Sequence, residues 1–281
     1  MASSFVFSKT VLDVLDMVQF GFVWFGVGSL LNLSWLIWTS RKTGIAKIQK
    51  GEVISALIIS VLEGFATVLF YYAIQQMENP AVVSFIGDLG PVLVTIMGVT
   101  LLGEKYGKLQ VLGILLALGG VGILTFRPGT DLESLVQPGS QYVVFASVLF
   151  AIATIYARKN KQSLNPELMS TIRSFMLFAV FAGIVMYTKK ELYFGGGIWM
   201  SVVMGSLLET LITIVFAYQA LRFIEAAKTS LIISTKAVFA LFLALVFLDA
   251  FPSGLELTGG ALSLSGIMLI GIGEKIGIGK E

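Results

Sequence analysis

The chain has no cysteine and no histidine, and charged residues make up only 13% of it, against roughly 25% in an ordinary soluble domain. Each shortage closes off some chemistry. Without cysteine there is no disulfide, thiolate nucleophile or thiolate metal ligand. Without histidine there is no imidazole ligand, serine–histidine couple or histidine proton relay. No metal and no cofactor is therefore expected. The formal net charge of +2, spread over short loops, leaves no footprint for nucleic acid. What the chain does have is apolar: 56% hydrophobic residues and a mean hydropathy of +0.90. So few charges cannot cover a water-facing surface. Lipid is the expected solvent, the bilayer the expected partner, and a multi-pass position in the cell membrane the expected location.

A helix needs about 20 apolar residues to cross the hydrocarbon core. Nine segments qualify: Val18–Trp38, Glu52–Gln76, Pro80–Leu102, Gly107–Phe126, Gln141–Ala157, Leu168–Tyr187, Ile198–Ala220, Thr229–Leu248 and Leu255–Gly273. Runs this long and unbroken predict an all-α polytopic protein, not a barrel. Arg41, Lys42, Lys47, Lys50, Lys105, Lys108, Arg158, Lys159, Lys161, Arg222, Lys228, Lys275 and Lys280 fall on one set of ends, and only Lys9, Arg127, Lys189 and Lys190 on the other. The richer set is expected to be cytoplasmic, with the C-terminus. Met1–Leu12 is too short to span, and Lys9 follows its apolar stretch, unlike a signal peptide. It reads as an interfacial tail or as the outer end of a tenth helix.

The chain repeats itself. Shifted by 146 positions, Ser55–Thr125 aligns without gaps on Ser201–Gly271, with 17 of 71 positions identical. The strongest block, Ser60-x-Leu62-Glu63-x-x-x-Thr67-x-x-Phe70-x-Tyr72, returns as Ser206-x-Leu208-Glu209-x-x-x-Thr213-x-x-Phe216-x-Tyr218. Five helix steps separate equivalent elements, and five is odd, so the copies are expected upside down relative to each other. The expected division is a first repeat over 1–130, a linker over 131–140 with turn chemistry in Gln137-Pro138-Gly139, and a second repeat over 141–281. Inverted repeats of this kind place a substrate near the midplane.

Ionisable residues inside a membrane are costly and are candidates for function. Glu63 and Glu209 lie at matching mid-bilayer depths. Ser60, Glu63 and Thr67 form a polar stripe at helical spacing, and Ser206, Glu209 and Thr213 repeat it. A carboxyl group there either lines a pathway and exchanges a proton, or sits neutral between helices. Asp88 and Lys236 fall near the midplane on equivalent helices and are expected to pair, as a site for a zwitterion or as a lock. Pro91 should kink its helix beside Asp88. Arg173 is expected to snorkel to the cytoplasmic interface. Tyr72 and Tyr218 read as an aromatic belt or as the lining of a mouth. Gly113, Ala117, Gly120, Gly259 and Gly266 read as close-packing positions.

Pro91-Val92, Leu101-Leu102-Gly103-Glu104, Gly113 and Leu118-Gly119-Gly120-Val121, with the weaker copy Ala237-Val238, Leu248-Asp249 and Gly259 through Gly266, follow a familiar order. In these the chain resembles the EamA-like branch of the drug/metabolite transporter superfamily. The resemblance implies ten helices, cytoplasmic termini, and export or uptake of small metabolites. This chain departs from it in the first helix, largely absent, and in Ala237 and Ala250, which stand for a proline and a glutamate. Residues Phe5–Lys9 look like the tail of that helix, as a misplaced start codon would leave them. The function expected is secondary transport of an amino-acid-like, aromatic or drug-like small molecule by alternating access, with proton coupling open. A channel or scaffold is the alternative. An intramembrane aspartyl enzyme would need Asp88 beside Asp249, which sits at a helix end.

Overall fold

The structure is a computed structural model that describes residues 7–8, 10–42, 48–76, 87, 90–125, 139–192, 197–235, 238–239 and 253–278. Its helices are α1 (Met17–Lys42), α2 (Lys50–Gln76), α3 (Gly90–Leu102), α4 (Lys108–Thr125), α5 (Ser140–Lys159), α6 (Pro166–Thr188), α7 (Trp199–Ser206), α8 (Ile214–Phe223), α9 (Ala226–Ser234) and α10 (Gly254–Ile278). A π-helical segment, Leu207–Thr213, joins α7 to α8. No strand occurs among the described residues. Among the described residues, five spans are long and apolar enough to cross a membrane: Met17–Arg41, Lys50–Phe70, Ser140–Lys159, Pro166–Thr188 and Trp199–Phe223. Gly90–Leu102, Lys108–Ile123 and Leu257–Gly273 are shorter apolar helices. The expected segment Thr229–Leu248 runs beyond the described residues after α9, as does the start of Pro80–Leu102. The expected segment Ile198–Ala220 corresponds to the span Trp199–Phe223, whose middle is wound as the π segment.

Lipid offers no hydrogen bonds, so the backbone must satisfy itself within each helix. Hydroxyls buried in these spans follow the same rule. Ser29 donates to the Phe25 carbonyl at 2.7 Å, Thr95 to Pro91 at 2.8 Å and Thr154 to Phe150 at 2.9 Å. Helix ends are closed by side chains. The Asp16 carboxylate accepts from the backbone N–H of Val18 and Gln19, and Gln19 accepts in return from Asp16 N–H, a capping box. Asn165 accepts from Leu168 N–H at 3.0 Å with Pro166 at the first helical position.

The chain divides into two compact units. The first comprises Met1–Gly64 and Asn160–Phe223, and the second Phe65–Lys159 and Ile224–Glu281. Each draws helices from both sequence repeats, and α2 passes from one to the other. In the first unit α1 and α6 run antiparallel. The Phe181 ring covers Gly21, the Phe178 ring covers Gly26, and Phe25 stacks on Phe181 with ring centroids 5.7 Å apart. Asp16 and Lys190 close one end at 2.7 Å. In the second unit α4 and α10 run antiparallel at backbone contact. A Cβ on Gly113 would lie 2.6 Å from the Gly266 carbonyl, and one on Gly120 2.5 Å from the Gly259 carbonyl. Adding 146 to Gly113 and Gly120 gives Gly259 and Gly266, so the two contacts exchange under the repeat, as in an isologous pair. The glycines thus allow close packing. Outward faces carry Phe65, Leu115, Phe145 and Phe216 at 61–68% exposed, a surface suited to acyl chains.

Two expectations follow from this packing. Gly120→Ala should destabilise the purified protein by about 1–3 kcal/mol through overpacking. Gly122→Ala, which meets nothing within 4 Å, should not lower the unfolding temperature. Partial burial raises the Asp16 carboxyl, but the hydrogen bonds from Lys190, Gln19 and Val18 outweigh it and leave it below its ordinary value. Its contribution is therefore present above the unfolded value of about 3.9 and is lost as pH falls through the lower folded value. Both partners are 39% exposed, so Asp16→Asn should cost under about 1 kcal/mol at pH 7 in thermal unfolding. The difference should vanish in strong acid.

Candidate functional site

Charge inside the first unit is gathered at one place. Glu63 projects from α2, Arg173 from α6, Glu209 from the π segment and Tyr218 from α8. Arg173 Nε donates to Glu63 Oε2 at 2.5 Å, with the two side chains only 12% and 14% exposed. The Tyr218 hydroxyl donates to the other oxygen, Glu63 Oε1, at 2.7 Å. Glu63 is thus held through both carboxylate oxygens, by a cation and by a phenol. The Glu209 carboxylate lies within electrostatic reach of the Arg173 guanidinium. Two carboxylates therefore act on one cation. A charge-assisted hydrogen bond in low dielectric is strong, and removing one partner leaves the other charge buried and uncompensated.

The expected snorkelling of Arg173 is corrected: the side chain turns inward to the carboxylate, because an ion pair within the bundle offsets the desolvation that an apolar helix imposes. Tyr218 is buried, 4% exposed, with its hydroxyl on Glu63, and so is no exposed belt residue. Its counterpart Tyr72 is exposed in the second unit, edge-on to Tyr142 at 4.9 Å. Ser60 and Thr67 are buried on α2, Thr67 within the second unit. The Ser206 hydroxyl donates to the Trp24 carbonyl at 2.9 Å, and Thr213 ends the π segment half-buried. Pro91 is buried in α3. Asp88 and Lys236, with the kink expected beside Asp88, lie outside the described residues.

Sequence reasoning missed a polar knot next to this cluster. Asn32 of α1, 1% exposed, has its amide nitrogen 2.8 Å from the Gly28 carbonyl, 3.0 Å from Thr210 Oγ1 and 3.2 Å from Ser174 Oγ. The Ser170 hydroxyl stands 2.6 Å from Asn32 Oδ1 and also contacts the Thr210 carbonyl. Thr171 donates to the Asn32 carbonyl at 3.3 Å. The available signal was a lone amide in the apolar run Phe20–Trp38. It has no equivalent in the repeat, where Phe178 takes its place.

In the second unit the Leu101-Leu102-Gly103-Glu104 motif has a structural explanation. Gly103 takes φ +67° and ends α3, a conformation that favours glycine. The chain then turns Glu104 so that its Oε1 accepts from Ala226 N–H at 2.8 Å, capping α9. The Tyr106 hydroxyl donates to Glu104 Oε2. Burial, and then the bond to Glu104, push the Tyr106 phenol well above its ordinary range. Burial also raises Glu225, but its hydrogen bond from Lys228, 2.9 Å away, prevails and holds the carboxyl low.

The signature of the EamA-like transporter family matches residues 1–126 and 137–272, and the chain belongs to that family. It is similar to two Bacillus subtilis (strain 168) proteins. One is described as "Uncharacterized transporter YxxF", with 23% identity over 85% of this chain and 76% of that protein. The other is described as "Uncharacterized transporter YyaM", with 25% identity over 74% of this chain and 69% of that protein. A solved crystal structure shares the fold at a TM-score of 0.78 and 18% identity, covering 96% of this chain and 93% of its own. The chain is a multi-pass membrane transporter.

Breaking the ion pair sets a measurable cost. Arg173→Ala should destabilise the protein by about 3–5 kcal/mol, seen in thermal unfolding in detergent. The double variant Glu63→Gln/Arg173→Gln should lose clearly less than the sum of the two single glutamine variants.

Proposed function

We propose that the chain is a secondary transporter of the cell membrane that carries a small metabolite by alternating access, with Glu63, Arg173, Glu209 and Tyr218 on its polar path. The observation that supports this reading is the buried Glu63–Arg173 pair with a second carboxylate acting on the same guanidinium. An intramembrane cluster of this kind serves a path or relay by default. Two carboxylates against one cation leave one negative charge, which a proton or a substrate ammonium group neutralises. Such a substrate is amino-acid-like or a drug-like amine, and a proton on either carboxylate couples its movement to the gradient. Ser60, Thr67, Ser206 and Thr213 add hydroxyls along the same two helical stretches.

We further infer that the repeats over 1–130 and 141–281 cross the bilayer in opposite directions, with the C-terminus cytoplasmic. The antiparallel pairing of the equivalent helices α4 and α10 supports this. Inversion lets one packing solution open to either side. The test is flux into proteoliposomes under an imposed pH gradient, using a panel of labelled amino acids, aromatic acids and organic amines. Saturable uptake of a panel member, lost in Glu63→Gln and in Glu209→Gln, is the expected result. Non-saturable flux would indicate a channel. Saturable flux untouched by both variants would remove the cluster from the path.

A further inference from the structure

The Glu63 and Glu209 stretches share a sequence pattern but not a backbone. Ser60 through Thr67 is regular α-helix within α2, whereas the equivalent residues Leu207–Thr213 are wound as a π segment. The residue after each glutamate differs: Gly64 in the first copy, Thr210 in the second. Thr210 is fully buried, and its hydroxyl and carbonyl are both engaged. Its hydroxyl donates to the Ser206 carbonyl at 2.8 Å and accepts from the Asn32 amide at 3.0 Å, while its own carbonyl accepts from Ser170. A π turn holds one more residue than an α turn, so its loss would rotate Glu209 by about 100° about the helix axis. Something must hold the wider turn in place.

We propose that Asn32 is a positioning residue that clamps the π segment to α6 and so sets where Glu209 stands relative to Arg173. The geometry is specific. On the π segment Asn32 grips Thr210, next to Glu209. On α6 its Oδ1 faces the Ser170 hydroxyl, whose one proton is shared between Asn32 and the Thr210 carbonyl, and its amide nitrogen faces Ser174; the two serines lie on either side of Arg173 in sequence. One amide therefore fixes both backbones that carry the charges. Its orientation is set by the Gly28 carbonyl, which only accepts, so the amide nitrogen must face it. The fit at the clamp is tight. A Cβ on Gly28 would come within 2.7 Å of Thr210 Oγ1, which requires a glycine where α1 meets the π segment. Asn32 touches neither Glu63 nor Glu209 in any of these bonds and acts through the backbone. A misplacement of about 1 Å in a functional group is enough to impair a site built this way. The functional consequence rests on the transport path proposed above, while the positional claim stands apart from it.

The absence of native cysteine allows a direct test in the full chain. Arg173→Cys and Glu209→Cys are introduced together, and the purified protein in detergent is treated with bis-methanethiosulfonate reagents of graded length. A second pair, Asp16→Cys with Lys190→Cys, reports on α1 and α6 away from the clamp. Bridging of 173 to 209 by a short reagent is expected. Its yield should fall several-fold, or require a longer reagent, when Asn32→Ala is added, while the 16–190 pair keeps its yield. Thr210→Val, which removes the hydroxyl and keeps the shape, should act the same way if Asn32→Ala does not fold. An unchanged 173–209 yield overturns the proposal, as does equal loss at both pairs, or failure of the short reagent to bridge 173 and 209 before Asn32 is changed. Because the readout needs no substrate, a clamp that responds as expected while flux ignores Glu63→Gln and Glu209→Gln would refute the transport path alone.

Discussion

The ion pair between Glu63 and Arg173 is the interaction on which the first unit turns. Each charge alone would be untenable in an apolar bundle, because neither water nor lipid can solvate it there. Together, with the Tyr218 hydroxyl on the second carboxylate oxygen, they are satisfied. Apolar residues of similar volume would hold the helices at least as well, so stability gives no reason for charges at this place. The transport role proposed for Glu63, Arg173 and Glu209 rests on this pair, with Glu209 within electrostatic reach of the same guanidinium.

The rest of the first unit fits around this constraint. Small residues let large rings close in, as Phe181 does over Gly21 of α1 and Trp24 of α1 does over Gly205 of α7, and α6 and the π segment stand within hydrogen-bond reach of Asn32. Buried hydroxyls bond within their own helix, as Ser29 does, or across to a neighbouring one, as Ser206 does to the Trp24 carbonyl. The second unit solves a different problem. Its α4–α10 contact is made through glycines at backbone distance, and its loop carboxylate Glu104 caps α9.

Much of this was legible in the sequence, and for identifiable reasons. Low charge and long apolar runs fix the solvent, and the solvent leaves helices as the available structure. A register of 146 picked out Glu63, Glu209 and Tyr218 together because each recurs in its copy at the same spacing. What escaped was whatever the repeat does not share. Arg173 was misread because depth along a helix does not say which neighbour a long side chain meets. The π segment was invisible because Ser206 to Thr213 has the same spacing as Ser60 to Thr67, and nothing in that spacing marks the wider turn at Leu207–Thr213. Asn32 aligns with Phe178, so no symmetry drew attention to it. Tyr72, which does recur, was paired with Tyr218 by pattern alone, and the two sit in different surroundings.

Access to the charged cluster from water is the most direct measure of whether it belongs to a transport path. In the cysteine-free chain, a single Glu209→Cys can be reacted with a membrane-impermeant methanethiosulfonate in right-side-out and in inverted vesicles. A path that opens alternately requires labelling from both faces. Protection from both faces, in protein that reacts fully once unfolded, would make the cluster a structural lock and contradict the transport reading of Glu63, Arg173 and Glu209.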